Sequence, residues 1–322
     1  MSCMVTTGTD RIPMTEIGWD EYQRFVNEQR EVVIEDIHIP LTGRKQVECF
    51  HPENFELERT TVWSFPERGN WATHQGDYRG NWAPQIPRNL ILRYTQPSEW
   101  VLDPMVGSGT TLVECRLLGR NGIGVDINPH ALMLTLDRLN FEPTNLYEQL
   151  PPSEIHVYHG DARWLNQIAD NTIDLVATHP PYARMITYSK HSPVEGDLSL
   201  LRSLEDFLDA MEQVASECYR VLKPNKHCAI LIGDTRKHKH YVPVAYRVME
   251  RFLKVGFILR EDIIKVQWKM KSTRERWGIG RDHDFMLIFH EHLFIFRKPD
   301  TGEDLRKFEG SMLNGQTGRV DS

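Results

Sequence analysis

The fold is decided by residues 101–111, VLDPMVGSGTT, where a short apolar run ends in an acid and a glycine-rich turn. The apolar run predicts a buried strand, and TLVECRLLG after it predicts a helix that ends at Gly119. Gly107 and Gly109 allow the backbone to approach a ligand closely, and the N-terminus of the helix favours electronegative groups. The turn matches no dinucleotide fingerprint, because Leu112 stands where the third glycine belongs, and it lacks the lysine of a phosphate loop.

The same alternation of strand and helix continues along the chain. Further strands are predicted at GIGVDI, IHVYHG, TIDLVATH, HCAILIGD, FILREDIIKVQW and HEHLFIFRK, and a helix is also predicted around RWLNQIA. Alternation of this kind implies a parallel sheet with right-handed crossovers, whereas the last two strands are joined by a loop and should pair antiparallel. We therefore expect an α/β fold with a mostly parallel seven-stranded sheet, one antiparallel strand, and helices on both faces.

The chain divides into three regions by composition. Residues 1–60 hold twelve Asp and Glu against six Lys and Arg, and a helix is predicted near 19–32. This region is expected to be an acidic helical extension, followed by the main domain at 61–300. Residues 301–322 are expected to form a flexible C-terminal tail.

Composition argues against several classes of protein. No apolar run approaches the roughly 18 residues of a membrane span, and the N-terminus lacks the basic start and apolar core of a secretory signal. The five cysteines show no paired spacing, which is typical of reduced thiols and predicts a cytoplasmic location. His290 and His292 are a candidate metal pair, but no third ligand lies nearby in the sequence, so we expect no metal site.

The net charge of −7 is unevenly distributed. Residues 235–247 contain four basic residues and no acid, and residues 265–284 carry six Lys and Arg against three acids, with Trp268 and Trp277 interleaved. This pattern fits phosphate contacts combined with base stacking, and it fits a solvated basic surface equally well. The candidate nucleic-acid-binding residues are Arg184, Arg236, Lys237, Lys239, Lys269, Lys271, Arg274 and Arg276.

Three acids stand at the ends of the first three regular strands. Asp126 follows Asp103 by 23 residues, the place where a carboxylate can accept both ribose hydroxyls. Asp161 ends the third strand and could accept from an adenine amino group. Any one of them could instead cap a helix, but their order predicts a nucleoside ligand without phosphates.

Two prolines follow the fourth strand directly, in the stretch ATHPPYAR. Pro180 and Pro181 fix φ and donate no backbone N–H, so they form a stiff exit from the sheet. Ligands of open α/β sheets bind at this end of the strands, and the stiff pair would hold His179 and Tyr182 at fixed angles there.

Together, VLDPMVGSGTTLVE, GVDINP, HGDA and ATHPPYA resemble the S-adenosylmethionine-dependent amino-methyltransferases of DNA, which methylate cytosine N4 or adenine N6. The resemblance covers about residues 60–300 and implies a Rossmann-like methyltransferase fold with S-adenosyl-L-methionine as cofactor. RGNWAPQIPRNLI resembles the family's segment that closes over the methionine end of the donor. The implied donor-binding residues are Asp103, Met105, Gly107, Gly109, Thr110, Asp126, Ile127, Asp161 and Ala162, and the implied catalytic residues are His179, Pro180, Pro181 and Tyr182.

One departure from the family concerns His179, where the family usually has Asp, Asn or Ser. A neutral imidazole has one acceptor nitrogen and can take a hydrogen from the target amine, whereas an imidazolium cannot. The resemblance implies a duplex DNA substrate with one flipped base, on which Tyr182 would stack. Thr178 echoes the Thr-Ser-Pro-Pro form of cytosine N4 enzymes and favours cytosine N4 over adenine N6.

Two other functions stay open from the sequence. An RNA guanine-N2 methyltransferase, acting for example on tRNA, has similar motifs, although residues 1–60 do not resemble an RNA-binding domain. A donor-binding protein that is catalytically inactive because of His179 would share the same donor site. The recognition sequence, the oligomeric state and a restriction endonuclease partner are not defined by the sequence.

Overall fold

The computed structural model describes residues 11–34, 36–78, 80–142, 150–181, 196–201, 203–268 and 284–313. The strands are β1 (Thr15–Glu16), β2 (Glu31–Ile34), β3 (Ile37–Pro40), β4 (Val62–Ser64), β5 (Trp100–Asp103), β6 (Asn121–Asp126), β7 (Ile155–His159), β8 (Ile173–Thr178), β9 (Leu222–Ile232), β10 (Thr235–Lys237), β11 (His240–Val242), β12 (Ile258–Val266) and β13 (His290–Arg297). The α-helices are α1 (Trp19–Glu28), α2 (Gln85–Tyr94), α3 (Thr110–Leu117), α4 (Pro129–Leu139), α5 (Leu204–Val221) and α6 (Val244–Val255).

The main sheet contains the predicted seven strands in the order β7-β6-β5-β8-β9-β13-β12. Strands β5 to β9 are parallel, and β13 runs antiparallel to both β9 and β12. The antiparallel pairing of β12 with β13 was expected, because the sequence predicts a loop and no helix between them. The Rossmann-like α/β fold is therefore confirmed. The sequence did not predict two short edge strands, β1 antiparallel to β7 and β4 parallel to β12, which extend the sheet to nine strands.

The buried parts of the central strands are mostly apolar because both faces of the sheet are covered. Val176 on β8 packs in a cluster with residues of α5 and α6, whereas its neighbour Ala177 packs in another cluster with residues of α2. The alternation continues on β13, where Phe294 lies in the first cluster and Leu293 in the second. We call the edge where β5 to β9 end the carboxyl edge; the start of β13 and the end of β12 also lie there.

The N-terminal region is not only helical. The helix predicted near 19–32 is α1, but it ends at Glu28 and is followed by the hairpin β2–β3. The Tyr22 hydroxyl donates to Asp137 on α4 at 2.7 Å, and Val32 packs in one cluster with Leu132 on the same helix. The region therefore packs on the main domain, and the boundary at residue 60 stays a prediction.

Two other segments differ from the sequence prediction. Residues 163–169 form turns instead of the helix predicted there, because side chains of α5 bind their backbone: Glu217 accepts from the Leu165 N–H at 2.7 Å, and Arg220 donates to the Leu165 carbonyl at 2.9 Å. Residues 301–313, expected in a flexible tail, contain a 3-10 helix at Leu305–Ser311 packed near the start of β12. Within the described ranges, no helix has the length and apolarity needed to cross a membrane.

Candidate active site at the carboxyl edge

Asp103 connects the glycine turn to the strand that carries the proline motif. Its buried carboxylate accepts from the Thr111 hydroxyl at 2.5 Å, the Thr178 hydroxyl at 2.8 Å and the Met105 N–H at 3.2 Å. Burial raises the pKa of Asp103 to about 6, and these hydrogen bonds oppose that rise. Because Thr178 directly precedes His179, the turn and the motif are held in one arrangement.

The turn has a left-handed backbone at both glycines, with φ of +54° at Gly107 and +81° at Gly109. A Cβ on Gly107 would lie 3.0 Å from the Tyr78 ring, and one on Gly109 would lie 2.8 Å from Cγ2 of Thr135. Larger residues are therefore excluded by both conformation and space. Ser108 between them is buried, and its hydroxyl has no hydrogen-bond partner in the described part of the chain.

Asp126, at the end of β6, holds the turn from the other side. Its two oxygens accept from the backbone N–H groups of Gly107 at 2.8 Å and Asn128 at 2.9 Å. Burial raises the pKa of Asp126 to about 6. Each carboxylate oxygen has about two acceptor positions, so both retain capacity for a ligand hydroxyl.

Asp161 is already paired with a basic side chain. Arg163 forms a two-pronged ion pair with it, with N–O distances of 2.5 and 2.9 Å. The same Asp161 carboxylate also accepts from the Arg163 backbone N–H. An adenine amino group would therefore meet an acid whose charge is already balanced, a feature that the sequence did not predict.

The remaining predicted donor residues follow the ends of β5, β6 and β7, so they lie at the same edge: Met105, Thr110, Ile127 and Ala162. The Thr110 hydroxyl donates to the Asn81 side chain at 2.6 Å. Asn81 belongs to the predicted closing segment, residues 79–91. Through this hydrogen bond Asn81 lies against the glycine turn. The sequence indicated this segment but not its contact.

His179 is held on two sides by groups that the sequence did not indicate. Its ring stacks on Trp82, with centroids 6.2 Å apart and planes 24° apart, and its Nε2 lies 3.6 Å from Oε1 of Glu291 on β13. Lys265 on β12 pairs with the other Glu291 oxygen at 2.8 Å. Burial alone would raise the pKa of Glu291, but His179 and the Lys265 charge together hold it well below its usual range.

The other motif residues are only partly described. Pro180 is buried and Pro181 half-buried, directly after β8. Tyr182 and Arg184 lie outside the described residues, as do Lys269, Lys271, Arg274 and Arg276.

The hairpin β10–β11 projects at the carboxyl edge, with His238 and Lys239 at its tip in left-handed conformations. Lys237 and Lys239 are exposed, which suits phosphate contacts. Arg236 instead donates to the carbonyls of Lys239 and Met286. Its guanidinium also lies over the Phe285 ring. These contacts indicate that Arg236 stabilises the hairpin, whereas the sequence predicted a phosphate contact for it.

The structure places a third candidate ligand beside His290 and His292 that the sequence did not indicate. Asp234, which follows β9, places a carboxylate oxygen beside them, and one ligand atom from each residue lies within 4.8 Å of the others. Asp234 is 56 positions from His290 in sequence, so only the pairing of β9 with β13 shows the proximity.

Residues 18–137 and 173–308 match a protein family described as DNA methylase. The chain belongs to this DNA methylase family. It is 34% identical over 88 residues to the type II methyltransferase M.Cfr9I of Citrobacter freundii, covering 27% of this chain and 28% of that protein. It is 32% identical over 127 residues to a tRNA (guanine(10)-N2)-dimethyltransferase of Methanocaldococcus jannaschii, covering 38% and 34%.

Among solved structures, a SAM-dependent methyltransferase of Methanosarcina mazei has a TM-score of 0.43 at 15% identity, covering 66% of this chain and 97% of that one. The chain spans about a quarter to a third of the two curated relatives named above.

S-adenosylmethionine is the cofactor of this DNA methylase family. The site fits it: the acids of the carboxyl edge suit a nucleoside without phosphates, and the glycine turn lets a ligand approach the backbone. The buried Ser108 hydroxyl adds a polar group without a partner in the described residues.

Proposed function

We propose that this chain transfers a methyl group from S-adenosylmethionine to an exocyclic amine of one base in duplex DNA at a specific sequence, with cytosine N4 favoured over adenine N6. The hydrogen bond from Thr178 to Asp103 carries the proposal, because it joins the donor turn to the residue before His179. The methyl donor and the target amine would therefore meet at a fixed geometry, as a direct transfer requires.

The donor would be held by the carboxyl edge. Asp126 would accept from the ribose hydroxyls, and the pair of Asp161 and Arg163 would lie beside the adenine. Asn81 and Tyr78, which contact the turn, would help to exclude water from the donor. S-adenosylmethionine supplies an activated methyl group on its sulfonium.

His179 would act on the target amine. The lone pair of an exocyclic amine is delocalised into the base, so an acceptor for its hydrogen helps the nitrogen become a nucleophile. Trp82 stacks on the imidazole, and the Glu291 charge 3.6 Å from Nε2 favours a proton on that nitrogen, so a neutral ring would accept at Nδ1. His179 would take at Nδ1 the proton that the amine nitrogen loses as that nitrogen gains the methyl group and the donor sulfonium becomes a neutral thioether.

Several further features of the function are part of the same proposal. The target base would be flipped out of the duplex and stacked on Tyr182. Thr178 before the motif supports cytosine N4 over adenine N6. We also propose a cytoplasmic location. A restriction endonuclease partner, as in type II systems, is the last part of the proposal.

A second candidate is methylation of RNA at guanine N2, which the similarity to a tRNA (guanine(10)-N2)-dimethyltransferase favours. Transfer of tritiated methyl groups to duplex DNA and to tRNA, each assayed with wild type and His179→Ala, separates the two. Digestion of the labelled DNA to nucleosides then distinguishes N4-methylcytosine from N6-methyladenine. Label in tRNA alone would favour the second candidate, and donor binding without transfer to either would favour an inactive donor-binding protein.

A further inference from the structure

We propose that Asp234, His290 and His292 bind one divalent transition-metal ion, best matched by Zn²⁺, which fixes the hairpin β10–β11 to β13. The two histidines lie two residues apart on β13 and therefore on the same face of the strand. Glu291 between them points to the other face, toward His179. The metal group is thus adjacent to the candidate active site but separate from it.

The geometry around His292 suits a metal ligand. Its Nε2 lies 3.6 Å from Oδ2 of Asp234, and this nitrogen is buried without a hydrogen-bond partner in the described ranges. The side chains of His292 and Asp234 are 3% and 1% exposed. Their separation is too long for a hydrogen bond, but it is close to the roughly 3.4 Å between neighbouring ligand atoms around a tetrahedral Zn²⁺ with bonds of about 2.0–2.1 Å.

The tautomer of His292 follows from its other nitrogen. Nδ1 lies 2.9 Å from Oδ1 of Asp262, so a neutral ring carries its proton on Nδ1 and donates it to that carboxylate. The lone pair of Nε2 then faces the Asp234 carboxylate, and two acceptors face each other across 3.6 Å. A cation between them resolves this repulsion, and a carboxylate behind the ligating histidine is the usual support of metal sites.

The donor set and its surroundings also suit zinc. Two imidazole nitrogens and one carboxylate leave a fourth position for water, and His290, which is half-buried, provides an open side for entry. Asp234 is already fixed, because it accepts from the Ala245 N–H at 2.8 Å and from the Tyr241 hydroxyl. A bound ion would therefore join β11, the start of α6 and β13.

The experiment is a calorimetric titration of the chelator-treated, dialysed full chain with ZnCl₂. We expect one Zn²⁺ per chain, at least tenfold weaker binding in His290→Ala, and about 10–100-fold weaker binding in Asp262→Asn, which loses the support behind His292. His240→Ala is the matched control, because His240 lies exposed on the same hairpin outside the group. Circular dichroism checks that each variant folds.

Hydrogen exchange gives a second measurement, since Zn²⁺ should slow exchange in residues 235–242 of wild type and not of His290→Ala. Absence of Zn²⁺ uptake by wild type would overturn the proposal and leave His292 as a buried ring between the carboxylates of Asp234 and Asp262. Equal affinity in wild type and His290→Ala would overturn it as well, because the ion would then bind elsewhere.

Discussion

Glu291 on β13 lies next to His179 at the end of β8, with Oε1 and Nε2 3.6 Å apart. The family motif usually has Asp, Asn or Ser at the position of His179, whereas here an acid lies beside the motif from another strand, β13. Because Lys265 neutralises the far oxygen of Glu291, this buried acid can remain ionised beside the imidazole. The imidazole and Glu291 can therefore be tested as one unit.

Replacement of Glu291 by Gln should lower kcat by about tenfold or more, because the imidazole is then without the charge that orients its proton. The affinity for S-adenosylmethionine should stay unchanged, since the proposed donor-binding residues lie on other strands. Single-turnover methylation and calorimetry measure the two quantities. Glu303→Gln is the control, because Glu303 pairs with Arg297 at the far end of β13. Equal losses in both variants would contradict a specific role for Glu291.

His179→Ala should remove methyl transfer and leave donor binding nearly intact, because no acceptor then takes a hydrogen from the target amine. His179→Asp restores the family's usual acceptor and should retain part of the activity. Both are measured by single-turnover transfer to duplex DNA. Wild-type rates in His179→Ala would leave the acceptor role to the Pro180 carbonyl alone.

Asp126→Asn should weaken S-adenosylmethionine binding about ten- to hundred-fold, which corresponds to the roughly 1.5–3 kcal/mol of a hydrogen bond to a charged group. The amide oxygen can still accept from Gly107, so the turn should survive better than in Asp126→Ala. Calorimetry measures the affinity. An unchanged dissociation constant would remove Asp126 from the donor site.

Donor binding should weaken as the pH falls through about 6. In the proposed site the ionised form of Asp126 would accept from the ribose, and burial raises its pKa to about 6 from the ordinary 3.8, so protonation begins in that range. Affinity should be constant well above pH 6 and fall by up to about tenfold per unit below it. Calorimetry across this range checks the slope. Asp126→Asn should show a flatter profile, with any remaining slope reflecting Asp103, whose pKa is also about 6.

Replacement of Lys237 and Lys239 by Ala should weaken DNA binding and reduce its salt slope by about 0.9 for each DNA phosphate that the protein no longer neutralises. Both side chains are exposed on the hairpin at the carboxyl edge. Lys307→Ala is the control, because this exposed residue belongs to the 3-10 helix near the start of β12, at the opposite edge. Titrations at several salt concentrations measure the slope. Equal slopes in wild type and the double variant would indicate a solvated surface.

The sequence alone determined which segments form the main strands and that they run parallel apart from one reversed strand. Each β-α-β unit is local, so its apolar run, its glycine turn and its helix can be read within about 30 residues. The placement of Asp103, Asp126 and Asp161 at one edge also followed from the sequence, since parallel strands end on the same side. The segment 163–169 was misjudged because its backbone bonds to α5, some 50 residues away.

Only the tertiary structure decided which side chains surround the motif. Glu291 meets His179 through the pairing of β8 with β9 and of β9 with β13, and Asp234 meets His292 through the pairing of β9 with β13. Strand pairing between distant segments leaves no local pattern in the sequence. The ion pair of Asp161 with Arg163 joins neighbours, but which partner the acid takes depends on side-chain orientation. The physical reason is common to these cases: local propensity sets the elements, whereas long-range register and packing set the contacts of each side chain.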